Sequence, residues 1–416
     1  MSSKPYSSRG PARPLRVGLV ADMLEERWPS MDLVADMLLE HLGGSAAVDV
    51  QAIQLRPPMV RRLTRVPRLR DRAKSDTLDR VVNRFWDYPR WLAGRRHDFD
   101  VFHVVDHSYA HLVGVLPAAR TVVTCHDTDA FLSLVEPARS DSALPKLLGR
   151  RICAGLQKAR RVVCPSAATR DELHRYGILP FDRIEVVPNG VHSVYSPVPD
   201  DAGDRAIDRM LGVRDGRTVD LLHVGSTIPR KRIDLLLRIV AALQEHEPRV
   251  RLIKAGGQLT GDHRDLLHTL GLETHVVCLP FLDRTQLAAL YRRADVVLIT
   301  SEREGFGLPV VEAMACGTQV VATDLPVLRE VGGAAAVFCA MGDLSGWRDR
   351  ILGLLQARHD PAAWELRRRT CIAHAARFSW AQYAGAMAEI YQDVLAADAM
   401  AQTPIPAVAR WQAARS

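Results

Sequence analysis

The sequence predicts an α/β protein of two doubly wound parallel-sheet domains, and three observations carry that expectation. Short apolar runs rich in Val and Ile alternate with helix-length segments through both halves, the pattern of parallel strands covered by helices. At 416 residues the chain is long for one hydrophobic core, and chains of this length ordinarily divide. Between the halves, Pro188–Asp204 (PNGVHSVYSPVPDDAGD) combines Pro, Gly, Asp and Ser with little periodicity, as a seam does.

In the first half the strand candidates are Leu15–Val20, Val48–Leu55, Asp100–Val105, Thr121–Cys125, Arg161–Cys164 and Ile184–Val187. In the second they are Val219–Val224, Val250–Ala255, His275–Leu279, Asp295–Thr300, Gln319–Thr323 and Ala335–Cys339. The expected domains are therefore 1–195 and 196–396, with a last helix near Trp380–Ala396 packing back on the N-terminal domain. The stretch 397–416, rich in Ala, Pro and Gln, is expected to be a mobile tail. Open α/β sheets bind ligands at the carboxyl ends of their strands, so the two domains are expected to face each other across a cleft.

Composition narrows the function classes. Hydrophobic content of 47% with 25% charged residues excludes wholesale disorder and fibrous repeats. The seven cysteines lie mostly in apolar runs with no C-x-x-C pair, which suits buried thiols in a reducing compartment rather than a zinc site or disulfide framework. Residues 1–15 lack an apolar signal core and no eighteen consecutive residues are apolar, so the expected location is cytoplasmic.

The net charge of +7 is unevenly spread: Arg56 to Arg96 holds thirteen Arg or Lys against four Asp. There Met59, Val60, Leu63, Val66 and Leu69 recur at helix-like spacing among arginines, followed by Trp86, Tyr88 and Trp91. Such a segment fits an anionic membrane surface, placing the protein on its inner face, and fits equally a solvated domain face. No recognised nucleic-acid reading motif accompanies it, so nucleic acid is not expected as a partner.

The most informative stretch is Asp295–Asp324, DVVLITSEREGFGLPVVEAMACGTQVVATD. A buried strand leads into a turn with Gly305 and Gly307, and a helix opens at Pro309 and is closed by Gly317. The helix N-terminus, with its unpaired N–H groups, is a phosphate cradle. Glu312 lies one turn in, leaning back so that its carboxylate can reach a ribose, and Glu304 precedes the glycines where it can accept from sugar hydroxyls. The second element, Leu221–Val240 (LLHVGSTIPRKRIDLLLRIV), reads as strand, Gly225 turn and helix, with Arg230, Lys231 and Arg232 at the helix start. Cations there oppose the macrodipole by about 0.3–1 kcal/mol each. Their presence asks for a compensating anion, and a diphosphate would supply it.

These residues resemble the family-four retaining glycosyltransferases of the GT-B fold, the glycosyltransferase group 1 type. That family's donor site carries two glutamates around a Gly-Phe-Gly turn, and Glu304, Gly305, Phe306, Gly307, Leu308, Pro309 and Glu312 match it. VGSTIPRK, Val224 to Lys231, is similar to the family's phosphate turn, and TVVTCHDTDAF, VVCPSAATRDEL and IEVVPNG extend the likeness over roughly 15–395. The resemblance implies that Arg230 and Lys231 hold the diphosphate, that Glu312 binds the ribose, that Glu304 lies against the transferred sugar and that His126 faces the reacting sugar as the active-site histidine. It further implies retention of configuration. The expectation is transfer of a hexose such as mannose from a nucleotide-diphosphate sugar, GDP-mannose and UDP-sugars both open, with no metal or cofactor. If the basic segment lies on a membrane, the acceptor is a saccharide or polyprenyl-linked saccharide of cell-envelope or exopolysaccharide assembly.

Two departures stand out: DMLEERWPSMD, Asp22 to Asp32, replaces the Gly-Gly loop common after the first strand, and Ser226 replaces the Arg many relatives carry after the turn glycine. Asp127-Thr128-Asp129 matches a D-x-D metal pattern too common by chance to assign. A nicotinamide-dependent oxidoreductase would use Gly305 and Gly307, but Val310 stands where its third glycine belongs. A nucleotide-sugar epimerase shares the architecture and remains the other alternative.

Overall fold

The computed structural model describes residues 13–26, 28–43, 49–65, 72–135 and 143–402. They form two units, one from Met1–Pro165, Arg170–Val187 and Trp380–Ser416, the other from Ser166–Thr169 and Pro188–Ser379. Each is built on a parallel sheet of six strands.

In the first unit the strands are β1 (Leu15–Val20), β2 (Val50–Leu55), β3 (Val101–Val104), β4 (Thr121–Thr124), β5 (Arg161–Cys164) and β6 (Ile184–Val186), in the order β2-β1-β3-β4-β5-β6. β3 and β4 are buried throughout, as parallel strands covered on both faces must be, whereas the edge strand β2 exposes alternate residues. The helix Trp380–Gln402 belongs to this unit, and Tyr391 Oη lies 2.7 Å from His103 Nδ1 while His103 Nε2 lies 2.7 Å from Thr124 Oγ1. It runs past the expected limit at 396; the rest of the expected tail, 403–416, lies outside the described residues.

In the second unit the strands are β7 (Val219–Val224), β8 (Val250–Ala255), β9 (Val276–Leu279), β10 (Val296–Ile299), β11 (Gln319–Thr323) and β12 (Val337–Cys339), in the order β12-β11-β10-β7-β8-β9. The period-2 alternation of a strand sorts them into two cores. Leu222, Ile253, Val297 and Val320 pack on one face with the helix Leu308–Ala315, and Leu221, Leu252, Leu298 and Val321 pack on the other with Ile233–Gln244 and Trp347. Each such fully buried aliphatic side chain contributes roughly 1.5–3 kcal/mol. In both units the order reverses beside the first strand, between β1 and β3 and between β7 and β10, and those reversals open the crevices in which doubly wound sheets hold ligands.

Two local expectations are corrected. The division falls at Val187/Pro188 rather than 195/196, because Val191 N donates to Phe378 O (3.0 Å) and Tyr195 enters the second unit's core. The helix Asp201–Leu211 also starts inside the expected seam, capped by the Asp200 carboxylate accepting from Gly203 N at 2.7 Å. Nor is the basic segment a helix over its described part. Asp79 accepts from the N–H groups of Arg62, Leu63 and Thr64 at 3.0–3.1 Å, leaving only a short 3₁₀ turn at Leu63–Arg65, and residues 66–71 lie outside the described residues. Its arginines are largely engaged: Arg62 forks onto Asp87, Arg56 meets Asp32, and Arg90 stacks over Trp86. Among the described residues no helix is long and apolar enough to cross a membrane.

Candidate active site

The second unit's crevice is lined by the loops after β7 and β10, and their sequences fold so that each pins the other. After β7 the chain turns at Gly225, makes a 3₁₀ turn at Pro229–Lys231 and enters Ile233–Gln244 through Arg232. The cations are therefore not on the helix as expected but on the turn before it. Arg232, the one non-glycine at positive φ (49°) among the described residues, occupies the N-cap position. That conformation costs roughly 1–2 kcal/mol. Its guanidinium forks onto Asp234 at 2.9 and 2.8 Å, which offsets the cost and places a carboxylate in the helix's first turn.

After β10, Thr300 Oγ1 donates to Lys231 O (2.8 Å), Glu302 N to Arg230 O (2.8 Å) and Arg230 Nη1 to Arg303 O (2.9 Å). Between the loops sits Glu304, its side chain 8% exposed. It accepts from Lys231 Nζ at 2.5 Å and Ser301 Oγ at 2.7 Å, with Arg230 Nη1 at 3.4 Å. Burial alone would raise this carboxyl; the charges of Lys231 and Arg230, with the hydrogen bonds from Lys231 and Ser301, outweigh it and hold Glu304 below its ordinary value. The anion that the clustered cations require is thus supplied by the chain itself.

Gly307 (φ 94°) is the N-cap of Leu308–Ala315, so Pro309 is its second residue. Phe306 is buried, packed edge-on to Phe378 at 5.6 Å. The helix closes with a Schellman cap: Gly317 N donates to Met314 O and Thr318 N to Ala313 O, both at 2.9 Å, with Gly317 at φ 83°. Glu312 hydrogen-bonds away from the cationic turn. Its Oε2 accepts from Tyr291 Oη at 2.9 Å within the apolar core that also holds Tyr195, and burial pushes it up to about 7 against the hydrogen bonds from the two tyrosines.

Two groups escaped sequence reasoning in this unit. His223 is buried beneath Gly225, its Nδ1–H donating to Leu298 O at 3.0 Å, which fixes Nε2 as the lone-pair nitrogen. Beside it in the β7–β8 register stands Lys254, fully buried although it is a lysine. A lysine following the apolar pair Leu252-Ile253 in the strand run VRLIKA was the only available signal.

In the first unit, His126 follows β4 and is buried, with Nε2–H donating to Val105 O at 2.7 Å. Burial lowers its basicity. Around it lie three strand-end residues that sequence reasoning missed. Asp106 follows β3 and accepts from Ser108 N at 2.8 Å, and His107 Nδ1 lies 3.2 Å from Asp106 and its Nε2 3.5 Å from Asp127. Burial would lower His107, but its hydrogen bond and charge interaction with Asp106 raise it. Asp22, after β1, is buried with neither carboxyl oxygen hydrogen-bonded among the described residues, and burial followed by the Asp106 charge pushes it well up. Asp127 and Asp129 are joined by an Asp129 N–H to Asp127 Oδ1 bond of 3.1 Å. No cluster of three or more His, Cys, Asp or Glu able to hold a metal ion occurs among the described residues.

The family described as "Glycosyl transferases group 1" matches residues 207–370, and "Glycosyltransferase Family 4" matches 36–194. The D-inositol 3-phosphate glycosyltransferase of Kineococcus radiotolerans is 34% identical over 309 residues, 67% of this chain and 68% of that relative. Its namesake from Xylanimonas cellulosilytica is 35% identical over 333 residues, 72% and 74% of the two chains. Among solved structures, a sucrose-phosphate synthase from Thermosynechococcus elongatus aligns with a TM-score of 0.69 at 20% identity, covering 92% of this chain and 100% of its own. Anabaena HepE in complex with UDP and glucose aligns at 0.67 and 17%, covering 91% and 100%. With two six-stranded parallel sheets of the GT-B kind and relatives of this likeness, the chain belongs to the group 1, family 4 glycosyltransferases, enzymes that transfer sugar from nucleotide-sugar donors.

Proposed function

We propose that the chain is a retaining hexosyltransferase that seats the diphosphate of a UDP- or GDP-sugar on Arg230, Lys231 and the amide-rich start of Leu308–Ala315. The observation that carries this reading is the Arg230–Glu304–Lys231 cluster at the ends of β7 and β10. An incoming diphosphate takes over the two cations, and Glu304, released, accepts from hydroxyls of the transferred sugar. As the C1–O bond to phosphate breaks, negative charge builds on the leaving diphosphate, and the fixed cations and helix N-terminus stabilise it without needing a metal ion. The acceptor oxygen bonds to C1 on the face the leaving group vacates, and its proton passes to a phosphate oxygen. In this reading Gly225, Gly305, Phe306, Gly307 and Leu308 shape the turn, and His126 is the histidine that contacts the reacting sugar. Glu312, turning from Tyr291, reaches the ribose.

The relatives' names make D-inositol 3-phosphate the first acceptor to try, with saccharides and polyprenyl-linked saccharides of envelope assembly as competitors. The test is incubation with UDP-glucose, UDP-N-acetylglucosamine and GDP-mannose against each acceptor class, with the product's anomeric configuration read by NMR. An inverted product, or no nucleotide release with any donor, would overturn the proposal. Flotation with anionic and neutral vesicles tests the membrane reading of Arg56–Arg96, and equal lack of binding to both removes it.

A further inference from the structure

Lys254 is 0% exposed, yet its ammonium is not paired with a carboxylate. It donates to three main-chain carbonyls, Gly225 O at 2.7 Å, Gly257 O at 3.1 Å and Gly256 O. Gly225 opens the cationic turn after β7, and Gly256 and Gly257 form the turn after the neighbouring strand β8. Gly256 and Gly257 stand at φ 85° and 82°, conformations that side-chain-bearing residues rarely adopt. The chain thus tolerates a buried charge and two left-handed residues to turn three consecutive-strand carbonyls inward.

Peptide planarity gives the consequence. In a trans peptide the carbonyl and the following N–H point in opposite directions, so drawing these three oxygens toward Lys254 sends the N–H groups of Ser226, Gly257 and Gln258 outward. None of the three donates a hydrogen bond among the described residues, and Ser226 and Gln258 are exposed. The turns touch: a Cβ built on Gly257 would lie 3.5 Å from Ser226 Cα and 3.6 Å from Thr227 N, and one on Gly225 would lie 3.7 Å from Lys231 Cε. Adjacent outward amides of this kind form an anion-binding nest.

We propose that Lys254 is a positioning residue that holds the amides of Ser226, Gly257 and Gln258 as a second, main-chain anion subsite for a phosphoryl group, alongside Lys231. This rests on the donor-site reading above. The ammonium sits behind the nest, so its charge also favours the anion, while the carbonyls shield it from solvent. Burial lowers Lys254 to about 8, which adds that the nest loses its backing charge in alkaline solution.

The test uses the full chain and its Lys254→Met and Gly257→Ala variants. Gly257→Ala leaves the lysine in place and sets a methyl group over the turn, so it serves if Lys254→Met does not fold. Calorimetry measures binding of inorganic pyrophosphate and a nucleoside diphosphate; saturation-transfer NMR measures the bare nucleoside. The expected result is about tenfold or greater weakening for pyrophosphate and the diphosphate, the scale of one charge-assisted hydrogen bond, with nucleoside binding unchanged. Wild-type pyrophosphate affinity in a folded variant overturns the inference while leaving the donor site standing. Equal loss of nucleoside and pyrophosphate binding also overturns it, since that marks general collapse. Failure of the wild-type chain to bind any nucleoside diphosphate or pyrophosphate overturns both readings together.

Discussion

The crevice beside β7 and the crevice beside β1 both open where the strand order of a doubly wound parallel sheet reverses, although two strands lie beyond β7 and only one beyond β1, and they manage buried charge in opposite ways. In the second unit Glu304 is ionised, held by two cations from a neighbouring loop. In the first unit burial and the Asp106 charge push Asp22 well up, Asp106 is ionised against His107, and no Lys or Arg hydrogen-bonds to either of these two acids among the described residues. The difference teaches that one crevice opposes its buried carboxylate with fixed cations, which on the proposed donor reading suits a ligand of permanent negative charge, whereas the other balances its acids with burial and a histidine.

The sharpest way to break this contrast is kinetic. Lys231→Ala should lower turnover at saturating donor by roughly 10²–10³-fold, the usual cost of losing one group aimed at developing charge. Near-normal turnover would remove the second unit's side of the comparison. In the first unit, Asp106→Asn strips His107 of its buried counter-charge and should destabilise the fold by about 3 kcal/mol at neutral pH, measured by urea unfolding. A loss below about 0.5 kcal/mol, the range of ordinary surface changes, would mean that His107 does not depend on Asp106.

Glu312 sharpens the comparison because its hydrogen bonds come from tyrosines rather than from Lys or Arg, and burial outweighs them and the charge of Arg284. Its folded value is raised from 4.5 to about 7, so the stability it contributes is fully present below about 4.5 and is lost as pH rises through about 7. Glu312→Gln keeps an oxygen for Tyr291 and removes the titration. The variant should match the parent near pH 4.5 and exceed it by roughly 2–3 kcal/mol at pH 8, and a pH-independent difference between their unfolding curves would refute the assignment. The smallest effect is expected at Arg232→Gly, where relief of the left-handed conformation and loss of the Asp234 fork nearly cancel, within about 1 kcal/mol.

The sheets were legible because parallel strands buried on both faces read as continuous apolar runs: Val219–Val224 and Gln319–Thr323 match to the residue, and Asp295–Thr300 loses only its polar ends. The meeting of Glu304 with Arg230 and Lys231 was legible for a similar reason, since the three come from two short contiguous segments. Asp22, Asp106 and His107 were not, because separate strand ends supply them and only the sheet order β1-β3-β4 brings them together with His126. The helix-like spacing in the basic segment does not make a helix in its described part because Asp79, more than ten residues downstream, captures the N–H groups that a helix would need. Lys254 was invisible since its meaning lies in glycine carbonyls from two loops.

The bond between Glu304 and Lys231 gives the pocket a built-in rival for whatever binds there. On the proposed donor reading a diphosphate has to evict this side chain, so stray inorganic phosphate gains little by entering, and after transfer the same side chain can reclaim the lysine and push the spent nucleotide out. Glu304→Gln should therefore hold nucleoside diphosphate longer than the parent does, a lengthened residence time that stopped-flow displacement would reveal.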